Sequence, residues 1–281
     1  MSRQAASRKS NTQTWRTLEN QTEKTMKLKN IAVQLTLLAA TGLATLAHAD
    51  EPTTPVVKNV VLVHGLYADG SSWGKVIPLL QAKGLHVVAV QNPTTSLQDD
   101  VAAVRRELAL QDGPTLLVAH SYGGMVISEA GADPKVAGLV YIAARAPEAG
   151  EDYPALTKRF PAAPAGAGLQ WAADGFGQLT EQAFVKDFAG DLPVGEARAY
   201  YAVQQRVGKA ITQAKTTVAA WHEKPSWYAV STQDRTINPD LERFMAKRMG
   251  AYTVELPASH VSLLSHPQEV ANLILKAAHA E

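Results

Sequence analysis

Short β-branched runs without polar alternation recur along the chain, at Lys58 to Val63, His86 to Val90, Thr115 to Ala119, Val136 to Ala143, Trp227 to Ser231 and Tyr252 to Leu256. A strand with one wet face would alternate, so runs of this kind predict strands covered on both faces. Between them the apolar positions take helical spacing. Trp73 to Lys83 stops at Gly84, and Leu97 to Leu110 follows Ser96, with Asp99 placed to complete a capping box. Pro239 to Met249 starts behind Asn238 and ends at Gly250, with Leu241, Phe244, Met245 and Arg248 on one face. In Pro267 to Ala278 the shared face is Val270, Leu273, Ile274 and Ala277. Alternation of strand and helix predicts the α/β class, a mainly parallel, doubly wound sheet with helices on both sides.

One stretch interrupts this rhythm. From Ala146 to about Lys224 no convincing strand pattern is present; a Pro/Ala/Gly-rich segment, Phe160 to Gly168, precedes amphipathic helical patches near Thr180 to Phe188 and Glu196 to Trp221. The expectation is a helical cap over one edge of the sheet, because ligands of open α/β sheets bind beyond the carboxyl ends of the strands. An ordinary surface elaboration is the alternative. Phe160, Trp171, Phe176 and Phe184 are candidates either to shape an apolar pocket or to fill the core of the cap.

Ahead of the first strand the chain changes character. Met26, Lys27 and Lys29 lead into an apolar run from Ile31 to Leu46, then Ala47-His48-Ala49 and the acidic pair Asp50-Glu51. A basic start, a short apolar run and a small-x-small site predict a secretory signal peptide cleaved after Ala49. The run is broken by Gln34, Thr36, Thr41 and Gly42, and it falls short of the roughly 20 apolar residues a membrane span needs. Residues 1–25 are polar and aperiodic, and the expectation is that translation starts at Met26. Residues 1–49 then form an extension and signal peptide. Residues 50–281 form one α/β domain, periplasmic or secreted, without lasting membrane association.

Composition narrows the chemistry. The whole chain carries 27 Lys+Arg against 26 Asp+Glu; seven of the basic and two of the acidic residues precede Asp50. The remainder is therefore mildly acidic, at about −4, which speaks against a nucleic-acid partner. With 46% apolar residues the chain has material for an ordinary core. The absence of cysteine removes thiol nucleophiles and thiolate zinc sites, leaving oxygen, nitrogen and carboxylate groups to act.

The run Thr115 to Ala119 passes into His120-Ser121-Tyr122-Gly123-Gly124, and the helical Met125, Val126 and Ile127 follow. A serine on a tight strand-to-helix turn is held above the sheet, and small residues two before and two after it let strand and helix approach. Ser121 is the candidate nucleophile, with Ala119 where glycine is commoner. A serine hydroxyl needs a base, and the base needs an orienting acid. Among eight histidines, His260 lies just beyond the last strand and before the last helix, on the strand end where Ser121 emerges. His266 is its rival, but Pro267 after it marks a helix start. The candidate acid is Asp234, at the carboxyl end of the Trp227 to Ser231 strand; Asp240 reads better as a first-turn helix carboxylate. The order Ser121, Asp234, His260 is that of the α/β-hydrolase arrangement. The predicted oxyanion donors are the backbone N–H groups of Tyr122, directly after the nucleophile, and of Leu66, in the turn after the first strand.

These residues resemble a known family. The string His64-Gly65-Leu66-Tyr67-Ala68-Asp69-Gly70-Ser71-Ser72-Trp73, the His120 to Gly124 turn, the Ser231 to Arg235 loop and Ser259-His260-Val261 are similar to bacterial α/β-hydrolases. The small esterase branch related to plant methyl esterases and hydroxynitrile lyases looks closest, over residues 57–278. The resemblance implies a cofactor-free serine hydrolase of small-molecule esters with those five residues in those roles. Hydroxynitrile lyases carry lysine directly after the histidine; Val261 stands there, so cyanohydrin cleavage is not expected. Perhydrolase or haloperoxidase-like activity on the same triad, and a catalytically silent ligand-binding protein, are the alternatives.

Overall fold

The computed structural model describes residues 57–278. The predicted signal segment and the boundary at Ala49 lie outside them. Six parallel strands form one sheet: β1 (Asn59–Val63), β2 (His86–Val90), β3 (Thr115–His120), β4 (Val136–Ile142), β8 (Ser226–Ser231) and β9 (Tyr252–Leu256). Their spatial order is β2-β1-β3-β4-β8-β9. Successive side chains of a strand point to opposite faces, and the core divides accordingly. Val61, Val63, Leu117 and Ala119 belong to one apolar cluster, with Val101, Val104 and Leu108 of the helix Leu97–Leu110 and Leu241 and Met245 of the helix Pro239–Arg248. Val60, Leu62, Leu116 and Val118 belong to the other, with Leu80, Val270, Leu273 and Ile274. A doubly wound sheet with helices on both faces is thus the observed architecture. In register, Val63 pairs with Ala119 and Ala119 with Tyr141, so the loops that follow β1, β3 and β4 leave the sheet at one level.

Most helices begin and end where their signals stand. Ser96 Oγ accepts the Asp99 N–H at 3.1 Å and donates to the Asp99 carboxylate at 2.7 Å, so the serine caps the helix and both bonds run through its hydroxyl. The first predicted helix differs. Gly70–Trp73 is a 3₁₀ turn capped by Asp69, and the α-helix spans only Ile77–Gln81. Pro78 has no N–H to bond backward and is tolerated only in a first turn, so the helix starts beside it.

The segment between β4 and β8 departs further from expectation. It contains a second, antiparallel sheet of three short strands, β5 (Leu169–Trp171), β6 (Phe176–Leu179) and β7 (Val207–Gly208), ordered β5-β6-β7. Strands of two to four residues are too short to display alternation. The Asp174-Gly175 pair was the available hairpin signal: Asp174 accepts the Phe176 N–H at 3.0 Å, and Gly175 has φ +82°. The Thr180 to Phe188 patch becomes a short helix, Glu181–Ala183, that widens into a π-helical turn, Phe184–Phe188. The Glu196 to Trp221 patch is helical only within Val194–Ala202, because Val207 and Gly208 pair with β6 instead. Among the described residues no helix is long and apolar enough to cross a membrane.

Candidate active site

Ser121 follows β3 directly and adopts φ +56°, a left-handed conformation that costs energy for any residue with a Cβ. Backbone bonds hold it there. Its N–H donates to Ile142 O at 3.1 Å, and its carbonyl accepts the N–H groups of Gly124 at 3.0 Å and Arg145 at 2.9 Å. Two glycines permit the close packing. A Cβ at Gly65 would lie 2.6 Å from Ser121 Cβ, and one at Gly124 would lie 2.1 Å from Arg145 O. The loop after β1 is therefore seated against the nucleophile turn, and the helix Gly123–Ala130 against the loop after β4.

His260 lies in the loop after β9, and its ring spans two partners. Nε2 is 2.8 Å from Ser121 Oγ, and Nδ1 is 2.5 Å from Asp234 Oδ2. The other Asp234 oxygen accepts the N–H groups of Thr236 at 2.6 Å and Ile237 at 2.9 Å. A carboxylate only accepts, so Nδ1 carries the proton and Nε2 presents its lone pair to the serine hydroxyl. Both side chains are fully buried, which keeps water from competing for these bonds. The N–H groups of Leu66 and Tyr122 flank the same turn, and neither has an acceptor among the described residues.

The other histidines have different work. The His64 Nδ1–H donates to Gly65 O at 2.9 Å, and burial pulls its pKa down. His120 Nε2 donates to the carbonyl of His260 at 2.9 Å; burial, then the neighbouring His260, hold His120 well below the usual histidine range and so neutral. His222 pairs with Glu148 at 2.9 Å at an exposed position, and His266 contacts Ser265 Oγ at 3.0 Å. Asp240 pairs with Arg243 at 2.8 Å on the surface.

Three supporting contacts were not visible in the sequence. Glu242 is fully buried; one of its oxygens accepts the Ser231 N–H at 3.0 Å, and its carboxyl meets that of Asp234. Burial, then the Asp234 charge, raise its pKa well above the carboxylate range, which favours the protonated form beside Asp234. Asp191 accepts the Ser259 N–H at 2.8 Å and bonds the Ser259 hydroxyl, fixing the residue before His260. Phe188 places its ring 5.1 Å from that of His260. Glu242 reads in sequence as a surface helix carboxylate, and Asp191 and Phe188 lie about 70 residues before the loop they brace; only co-variation among relatives would have linked them.

Of the four aromatic pocket candidates, only Phe184 joins Phe188, Tyr67, Val261 and Leu264, with Asp69 and Tyr200, around a narrow cleft that reaches His120 and Val261, the neighbours of Ser121 and His260, without being lined by Ser121, Asp234 or His260 themselves. Phe160 packs on Phe244 at 5.7 Å and lines a different cavity. Trp171 and Phe176 sit on the small sheet, away from that cleft, with Trp171 39% exposed. Among the described residues no group of three His, Asp or Glu side chains is placed to hold a metal ion.

Known proteins share this arrangement of elements. The chain is 28% identical over 253 residues to a pyrethroid hydrolase of Sphingobium wenxiniae, covering 80% of this chain and 89% of that one. The crystal structure of a pyrethroid hydrolase from Sphingobium faniae superposes with a TM-score of 0.68 at 26% identity, over 80% of this chain and 98% of the other. Polyneuridine aldehyde esterase superposes with a TM-score of 0.68 at 19% identity, over 78% and 98%, and so shares the fold. The sequence profile of the alpha/beta hydrolase family matches residues 60–273, and with the parallel sheet and the serine turn already described, the chain belongs to that family.

Proposed function

We propose that the protein is a carboxylic ester hydrolase that works through an acyl-enzyme on Ser121. The observation that carries this reading is the single buried imidazole of His260 bridging Ser121 Oγ and Asp234 at hydrogen-bond distance on both sides. Ser121 Oγ attacks the ester carbonyl as its proton passes to His260 Nε2. Asp234 keeps Nδ1 protonated and stabilises the imidazolium that forms. The developing oxyanion takes the N–H groups of Leu66 and Tyr122, each worth about 3 to 4 kcal/mol of transition-state stabilisation. His260 returns the proton to the leaving alkoxide, then draws one from a water that frees the acid and restores Ser121.

The substrate class is small-molecule esters with apolar bodies. Tyr67, Phe184, Phe188, Val261 and Leu264 beside the triad support this, as does similarity to a pyrethroid hydrolase. The test is turnover of p-nitrophenyl esters over a range of acyl lengths. The expected result is a loss of at least about 10⁴-fold in Ser121→Ala, with covalent labelling of the wild type alone by a fluorophosphonate. Turnover no faster than Ser121→Ala, with no label, overturns the reading. Peracid formation from peroxide and a carboxylic acid, faster than ester hydrolysis, would favour the perhydrolase alternative.

Export is part of the proposal. The basic start, apolar run and Ala47-His48-Ala49 support removal of residues 1–49. Sequencing the mature N-terminus should find Asp50, and a product retaining Met26 would overturn it.

A further inference from the structure

Arg145 lies three residues beyond β4, and its guanidinium stands over the rings of Tyr153 at 4.9 Å and Tyr122 at 5.8 Å. The guanidinium makes no hydrogen bond or ion pair with any described residue, and its Nε is buried. The hydroxyl of Tyr153, itself only 6% exposed, is likewise buried without a partner. Both side chains line a cavity of about 460 Å³, together with Lys158 at an exposed position. No aspartate or glutamate lines it. Its remaining polar lining is engaged elsewhere: the Asn238 amide donates to Pro161 O at 3.0 Å and accepts the Asp240 N–H at 2.8 Å, and the Thr157 hydroxyl donates to Pro154 O at 2.8 Å. The other walls are apolar, with Phe160, Ile237 and Leu241 among them.

A partly buried guanidinium and a buried hydroxyl without acceptors are unfavourable in an empty site, and both are corrected by one anionic ligand. Guanidinium presents a planar fork that matches a carboxylate, and the apolar walls ask for a hydrocarbon body attached to it. We infer that this cavity binds a small organic carboxylate, its charge on Arg145 and Tyr153 and its apolar body against Phe160, Ile237 and Leu241. The site goes beyond the ester-hydrolase reading and does not rest on it.

Calorimetric titration of the full chain with benzoate, the neutral isostere benzamide and inorganic phosphate tests the assignment. Benzoate is expected to bind, with benzamide weaker by about tenfold or more. Arg145→Met should weaken benzoate by a similar factor, and Tyr153→Phe by about three- to fivefold. Should Arg145→Met fail to fold, Tyr153→Phe decides alone, since it removes only an unpaired hydroxyl and leaves the packing intact. The assignment is overturned by absent benzoate binding, by benzamide binding as tightly as benzoate, or by folded variants that keep wild-type benzoate affinity. Inorganic phosphate displacing benzoate at equal concentration would overturn the choice of carboxylate.

Discussion

Ser121 and His260 meet at 2.8 Å, yet different kinds of structure hold them. The nucleophile turn is backbone against backbone: Ser121 is tied to Ile142, Gly124 and Arg145, and glycines at 65 and 124 let three segments close on it. The loop carrying His260 is held by side chains that reach across from the segment between β4 and β8. Asp191 grips Ser259, Phe188 packs against the imidazole, and Asp187 pairs with Arg235 beside the acid at 2.7 Å. One half of the site is therefore as rigid as the sheet. The other depends on a region of short strands and single helical turns, the kind of structure that opens locally at lower free energy than a packed sheet.

The contrast is broken most severely at Gly124. Gly124→Ala drives a Cβ into the Arg145 carbonyl and should cost about 3 kcal/mol or more, read as a lowered denaturation midpoint; a variant as stable as wild type would show that the turn yields. Asp191→Ala leaves the buried Ser259 N–H and hydroxyl without their acceptor. It should lose about 1 to 3 kcal/mol and slow ester turnover about tenfold, with Asp191→Asn recovering most of both. Full activity in Asp191→Ala would mean that the base loop holds itself.

A pH measurement sharpens the nucleophile side. The Tyr122 hydroxyl donates to buried Asp100 at 2.8 Å, and burial pushes the Asp100 carboxyl up to about 6 from an ordinary 3.8. A raised carboxyl pKa means that the folded chain binds this proton more tightly than the unfolded one. Its contribution is full below about pH 4, declines as pH rises to about 6 and is flat beyond, a change on the order of 1 to 3 kcal/mol. Asp100→Asn should flatten that decline in denaturation curves taken across the interval. The smallest effect is expected at the Arg235–Asp187 pair, where the guanidinium is half-exposed and Asp187→Asn keeps an oxygen to accept its N–H; stability should shift by about 1 kcal/mol or less, and a larger loss would make the grip of the segment between β4 and β8 on the acid loop stronger than a half-exposed pair implies.

The same contrast decided what was readable. Central strands such as β1 and β3 lie apolar on both faces, so uninterrupted runs announced them, and the helices Leu97–Leu110 and Pro267–Ala278 stand where Ser96 and Pro267 marked their starts. The segment between β4 and β8 sends mixed signals because its strands are two to four residues long, and its helical periodicity outlasts its helices. In the candidate site, the meeting of Ser121, Asp234 and His260 was foreshadowed because each stands just past a strand end. Arg145, Glu242 and Asp191 were not, since each resembles an ordinary surface charge until the partner it faces, or lacks, is known.

By itself, then, the sequence determined the α/β alternation, the serine turn and the chain order of the proposed nucleophile, acid and base, because these depend on local periodicity, turn chemistry and position along the chain. Tertiary structure alone decided which oxygen of Asp234 faces the imidazole, that Glu242 is buried near that acid, and that Arg145 Nε and the Tyr153 hydroxyl are buried beside one cavity without hydrogen-bond partners. Those properties arise from burial and from contacts between distant segments, and neither is encoded in any one stretch of residues.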